Sequence, residues 1–358
     1  MVRRSVMVGD LGIGNGFPVR VESMLKTPLQ DLRGCLEEVR LLADEGCELV
    51  RVAFPGMELS KALSRLIEDS PIEVMADIHF DHRLAIRAIT SGCRSVRVNP
   101  GNMGGRRGIR ELCSAVKDHG VVVRIGANSG SLSRSQIEQA SGDTGQALFD
   151  AVSDQAGLLL DWGVEDIILS AKSTSIRVTL RANSLIASAF DQPVHIGLTE
   201  SGPGQRGIIK SSVAVASLLG SGIGDTIRVS LTGPSREEVV VGKRILQSLD
   251  IRRFEAELVS CPGCGRRRID VDSLVRVLEP LLSDLREDLK VAVMGCEVNG
   301  PGEAADSDIG IAGTPSGIAI FSGGRVIGSS NFGDLSSRFL EVCRERGFLS
   351  GDTGDILD

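Results

Sequence analysis

Between residues 19 and 232, eight short β-rich runs alternate with amphipathic stretches of helical length, separated by Gly and Asp turns. The runs are "VRVESM" (19–24), "ELVRVAF" (48–54), "IEVMADIHF" (72–80), "SVRVNP" (95–100), "VVVRIGAN" (121–128), "EDIILSAKS" (165–173), "PVHIGLTE" (193–200) and "TIRVSLT" (226–232). The intervening segments, such as "DLRGCLEEVRLLADEG" and "IIKSSVAVASLLGSG", each carry a Gly where a helix C-terminal cap belongs. Eight strand–helix units predict an α/β chain whose first part is a closed (β/α)8 barrel. A doubly wound sheet is the alternative, and would need fewer units for the same length.

Past the last barrel helix, the charged stretch "DIRRFEAE" reads as a linker, so the expected domains are 1–250, the barrel, and 251–358. The second segment runs strand ("ELVSC"), helix ("VDSLVRVLEPLLSDL"), strand ("KVAVMG"), strand ("DIGIAGT"), a hairpin around Gly323-Gly324 and a last helix ("DLSSRFLEVCRERG"). That order predicts a small α+β unit.

In a barrel of this kind chemistry gathers at the C-terminal strand ends. Arg51 closes the second run, and Asp77 and His79 share a face of the third. Arg97 lies on the fourth, and Arg124 and Asn128 on the fifth. Lys172 ends the sixth, Thr199 and Glu200 the seventh, and Ser230 the eighth. Four cations, Arg51, Arg97, Arg124 and Lys172, face only Asp77 and Glu200 among the acids at that rim, although the chain carries a net charge of −7. An anionic ligand is expected, with a phosphate or diphosphate first because guanidinium forks match its oxygens. A set of structural ion pairs is the other account.

The same negative charge argues against a nucleic-acid partner. No apolar run reaches the ~18 residues a membrane span needs, and the Arg pair in "MVRRSVMVGDLG" lacks a signal core behind it, so a cytoplasmic protein is expected. "GPGQRG" (202–207) fits a dinucleotide fingerprint, but its candidate acid, Asp225, falls at the wrong end of the next strand.

Eight cysteines in such a compartment are thiols or metal ligands rather than disulfides. Cys35, Cys47, Cys93, Cys113 and Cys343 sit in apolar neighbourhoods and read as core. Cys261 and Cys264 form C-x-x-C in "SCPGCGRRRID", and Cys296 ends a strand in "MGCEVNGPGEA" 32 residues later. Three thiolates exceed a redox pair and fall one short of a structural zinc site. The remaining fourth donor is Glu303, across the Gly300-Pro301-Gly302 turn. Three thiolates and a carboxylate suit an iron–sulfur cluster with one exchangeable iron, with zinc or a thiol pair as alternatives. Arg266, Arg267 and Arg268 follow directly, as a docking strip for an acidic electron carrier or as a solvated turn.

The two cysteine motifs, behind a barrel carrying "ADIHFDHRLA", "VRVNPGN" and "RIGANSGSL", make the chain resemble the hydroxymethylbutenyl diphosphate synthase family over nearly its whole length. His82 stands where the family pattern has tyrosine. The resemblance implies a ferredoxin- or sulfite-reductase-like second domain and a 4Fe-4S cluster on Cys261, Cys264, Cys296 and Glu303. It implies reductive ring opening of 2-C-methyl-D-erythritol 2,4-cyclodiphosphate, with electrons from reduced ferredoxin or flavodoxin. Arg51, His79, Arg97, Arg124, Asn128, Lys172 and Ser230 are then expected around the substrate, with Glu200, Asp77 and Thr199 handling protons. A head-to-tail homodimer is part of the same expectation. The residues alone leave two other readings open: a barrel aldolase or isomerase of a phosphorylated substrate, with Lys172 as Schiff base and a structural zinc module, and a non-catalytic iron or redox sensor.

Overall fold

A computed structural model of the chain describes residues 3–78, 81–99, 105–296 and 306–351. It divides into two units, Met1–Arg252 and Arg253–Asp358.

The first unit opens with an antiparallel hairpin, β1 (Ser5–Val8) and β2 (Leu11–Gly14), turned at Gly9-Asp10. Eight parallel strands follow: β3 (Arg20–Met24), β4 (Leu49–Ala53), β5 (Glu73–Asp77), β6 (Ser95–Val98), β7 (Val122–Asn128), β8 (Ile167–Lys172), β9 (His195–Ile196) and β10 (Thr226–Ile227). Their order is β8-β7-β6-β5-β4-β3-β10-β9, and a parallel bridge between Leu169 and Val194 joins the two end strands and closes the ring. Each strand is followed by a helix, from Leu32–Asp44 after β3 to Ser235–Ser248 after β10. Local sequence sets these helix ends. Asp81, for example, accepts from the Arg83 amide at 2.8 Å to start His82–Thr90, and Gly92, at φ +107°, ends it.

All eight expected strands are present, the last two as short ladders. Gly197, at φ +153°, ends β9, and a Cβ there would stand 2.3 Å from the Arg228 carbonyl oxygen, so only glycine lets the two chains run this close.

Side-chain alternation splits each strand between two surroundings. Outward residues such as Val50, Val74, Val96, Val123 and Ile125 are buried, as parallel strands under helices require. The inward positions are layered. At the N-terminal end Leu49, Met75, Val122 and Ile168 pack against Val6, Val8 and Ile13 of the hairpin, so an apolar floor closes the ring there. Above it the inward residues are almost all charged or polar.

The second unit is a five-stranded sheet in order β11 (Glu257–Ser260), β12 (Lys290–Met294), β13 (Ile309–Thr314), β14 (Gly317–Ser322), β15 (Arg325–Ser330). The first three strands are parallel and the last two antiparallel. Gly323 and Gly324, at φ +54° and +71°, make the hairpin turn. Helices Val271–Leu278 and Leu335–Glu345 cover the sheet through Leu274, Leu278, Val291, Ile311 and Phe339. The single helix expected over 271–285 is instead an α-helix to Leu278 and a 3-10 turn over Glu279–Asp284, because Pro280 supplies no amide to continue it.

Candidate active site and cysteine centre

The inward face above the floor lines a cavity of about 210 Å³. Arg51, Asp77, Arg97, Arg124, Asn128, Lys172, Thr199 and Ser230, all singled out in the sequence, line it together. The pleat accounts for this: residues two apart share a face, and neighbouring strands stand in register, with Asp77 beside Arg97, Arg97 beside Arg124, and Asn128 beside Lys172. Glu200 is exposed, outside the cavity lining, with its backbone at φ +52°, a conformation that costs a non-glycine residue about 1 kcal/mol or more. His79 lies outside the described residues.

Several contributors were missed in the sequence. Arg228 and His195 line the cavity, Glu22 stands behind Arg124, and buried Glu238 stands behind Arg228. Alternation was the available signal for the first three, since Arg228 precedes Ser230 by two, His195 precedes Thr199 by four, and Glu22 occupies the same face of β3 as Met24. Glu238 comes from helix Ser235–Ser248 and had no such signal. The expected balance at the rim is thereby corrected. Arg228 joins four cations, and Glu22, Asp77 and Glu238 are the acids that meet them.

The ion pairs are specific. Arg124 Nη1 pairs with Glu22 Oε2, both essentially without exposure. Asp77 takes Arg97 Nη1 at 3.2 Å and Arg51 Nε at 3.4 Å. Arg228 Nη2 meets Glu238 Oε2 at 3.2 Å. Gly126 makes room for Arg97, since a Cβ there would lie 2.8 Å from Arg97 Nε. Burial first, and then neighbouring cations, pull the Lys172 ammonium well below its ordinary value. Two guanidinium nitrogens, Arg124 Nη2 and Arg228 Nε, are buried with no hydrogen-bond partner. An anion with several oxygens in the cavity would offset the mutual repulsion of the cations that line it.

In the second unit Cys261 follows β11, and Cys296 stands two residues past the end of β12, so both occupy C-terminal ends of adjacent parallel strands. The Gly295 amide donates to Cys261 Sγ at 3.2 Å. A Cβ on Gly295 would come within 2.9 Å of Val271 and 3.4 Å of that sulfur, so glycine is required for the approach. The exposed Cys264 thiol is held below its ordinary value by the Arg266 amide and then by the Arg266 side chain. Amides aimed at sulfur are what a cluster-bound thiolate accepts, and on this count Cys261 and Cys264 fit an iron–sulfur group. Glu303 lies outside the described residues, and among the described ones no three His, Cys, Asp or Glu gather as a single metal ion needs.

The other five cysteines are buried. Burial pushes the thiols of Cys47, Cys93 and Cys343 up to about 12 and those of Cys35 and Cys113 to about 11. Asp225 binds Arg3 and the Val194 amide at the floor end of the barrel, which removes the dinucleotide reading. No helix among the described residues is long and apolar enough to cross a membrane.

Comparison with known proteins agrees with this geometry. The GcpE TIM-barrel domain profile matches residues 3–243 and the GcpE protein C-terminal domain profile residues 257–345. A relative from Ruminiclostridium cellulolyticum is 40% identical over 324 residues, covering 90% of this chain and 92% of the relative. One from Corynebacterium diphtheriae is 45% identical over 325 residues, covering 90% and 83%. Both are named 4-hydroxy-3-methylbut-2-en-1-yl diphosphate synthase (flavodoxin), which does not favour the aldolase alternative. Among solved structures, the type I 3-dehydroquinate dehydratase of Clostridium difficile overlays with a TM-score of 0.50 at 14% identity, over 69% of this chain and 98% of that one, a likeness of fold alone. With both domain profiles matched in order and relatives this similar over nine-tenths of its length, the chain belongs to the GcpE family of 4-hydroxy-3-methylbut-2-en-1-yl diphosphate synthases.

Proposed function

We propose that the barrel mouth binds 2-C-methyl-D-erythritol 2,4-cyclodiphosphate and that the chain opens its ring reductively. Two electrons and two protons enter, and (E)-4-hydroxy-3-methylbut-2-enyl diphosphate and water leave. The observation that carries this reading is the convergence of Arg51, Arg97, Arg124, Lys172 and Arg228 on one cavity. In this reading Arg51, Arg97, Arg124, Asn128, Lys172, Arg228 and Ser230, with His79, hold the diphosphate. As the ring C–O bond breaks, these cations stabilise the charge that develops on the departing phosphate oxygen. Glu200, oriented with Asp77 and Thr199, exchanges protons near the carbon skeleton.

Cys261, Cys264, Cys296 and Glu303 would hold a 4Fe-4S cluster. A cluster there supplies one-electron transfers that no side chain of the chain provides. The relatives' name supports flavodoxin as electron donor, with ferredoxin as the other candidate. The proposal includes a cytoplasmic location and a head-to-tail homodimer.

Anaerobically reconstituted protein, supplied with reduced flavodoxin and the cyclic diphosphate, is expected to yield the allylic diphosphate by mass spectrometry. A fully loaded cluster with no product overturns the reading. Borohydride trapping of a carbonyl substrate on Lys172 would replace it with the aldolase.

A further inference from the structure

Among the described residues His195 is the one buried imidazole in the cavity wall, and the catalytic roles assigned so far do not use it. Its Nε2 stands 2.7 Å from Lys172 Nζ. Its Nδ1 stands 2.6 Å from Thr226 Oγ1 and 3.4 Å from Glu22 Oε2. An ionised Glu22 can only accept, so the ring hydrogen belongs on Nδ1, facing the hydroxyl and the carboxylate, and Nε2 is left as the acceptor for a Lys172 ammonium. The chain thus builds a line from ligand side to wall: Lys172, His195, then Thr226 and Glu22, with Glu22 in turn held by Arg124.

We propose that His195 is a positioning residue for Lys172: its Nε2 holds the ammonium against the cavity wall and favours its charged form, and Thr226 and Glu22 fix the imidazole tautomer that makes this possible. The inference rests on reading the cavity as a diphosphate site.

The need for such a device follows from the surroundings. Lysine is a flexible point charge that loses its proton readily when buried, and Arg51, Arg124 and Arg228 all press Lys172 toward neutrality. The groups facing His195 are Lys172 from β8, Glu22 from β3 and Thr226 from β10, with Arg51, Arg124 and Arg228 acting at longer range. Burial first, and then Lys172, hold the imidazole well below its ordinary value, so it remains the neutral acceptor. Sign follows from this: loss of the acceptor removes a bond to the charged form and lowers the pH at which Lys172 loses its proton.

The test compares His195→Leu with His195→Gln, whose side-chain oxygen can still accept. In the reconstituted holoprotein, His195→Leu is expected to raise KM for the cyclic diphosphate and the Kd for inorganic pyrophosphate about ten- to hundredfold. A fall in kcat should accompany it, because Lys172 is among the cations facing the departing phosphate oxygen, and the alkaline limb of the kcat/KM profile should move to lower pH. His195→Gln should recover most of both shifts. An unchanged KM and alkaline limb in His195→Leu overturns the inference, as does a folded His195→Gln that behaves like His195→Leu. Should either variant fail to fold, nitrogen NMR of the wild-type imidazole decides, since a proton on Nε2 instead of Nδ1 also overturns it. Failure of the diphosphate reading is distinguishable, because the wild type itself would then neither bind pyrophosphate nor turn over the cyclic substrate.

Discussion

Arg124 and Glu22 form an ion pair inside the barrel with 1% and 0% of their side chains exposed. Burial alone would raise the Glu22 carboxyl, but the neighbouring Arg124 and then Arg51 outweigh it and bring the group below its ordinary value near 4.5. Removing one partner strands the other charge, so Glu22→Gln is expected to cost about 3–5 kcal/mol in denaturant unfolding. Because the folded value is depressed, the pair's contribution is complete above the unfolded glutamate value and fades as pH falls through the folded one. The gap between wild type and Glu22→Gln should therefore narrow below about pH 4. A constant gap down to acid unfolding would contradict the ionised pair.

Arg228→Met removes a cation whose Nε has no protein partner. A charge-assisted bond of about 1.5–3 kcal/mol corresponds to a ten- to hundredfold rise in KM for the cyclic diphosphate, with the iron content unchanged. Steady-state kinetics and iron analysis on one preparation check both halves.

Cys296→Ser is expected to lose the absorbance near ~400 nm and turnover together, because the third sulfur donor is gone. Glu200→Gln separates the roles. Its spectrum should match the wild type, while kcat falls about 100- to 10,000-fold. Full activity in Glu200→Gln would take that carboxylate out of the proton chemistry.

The hairpin floor predicts a purely structural mutant. Val8 is fully buried against the lowest barrel layer, and Val8→Ala should cost about 2 kcal/mol. That corresponds to a fall in Tm of about 4–8 °C for a domain of this size. Calorimetry reads the loss, and unchanged KM at 25 °C shows that the mouth is untouched.

Much of the fold was legible because parallel strands buried on both faces leave apolar runs of a fixed length, and most runs here carry polar residues toward the mouth end. The N-terminal hairpin was not, although "VMVGDLGIG" alternates around a Gly-Asp turn; its partner surface is built from four strands distant in sequence. Arg228 and His195 were within reach of the alternation rule, since each shares a face with a residue already chosen. Glu238 was out of reach, because a helix carries it to the mouth from outside the strand pattern. Lys172 lines the cavity as the strand pattern placed it, yet its hydrogen bond to His195 depends on the pairing of β9 with the ring, which no local pattern encodes.

Among the described residues, the hairpin stoppers the lower end of the ring, and the charged cavity lies at the opposite mouth. Substrate and product both carry a diphosphate and would compete for the same cations there. The product diphosphate should then act as a competitive inhibitor, raising the apparent KM while leaving the limiting rate intact.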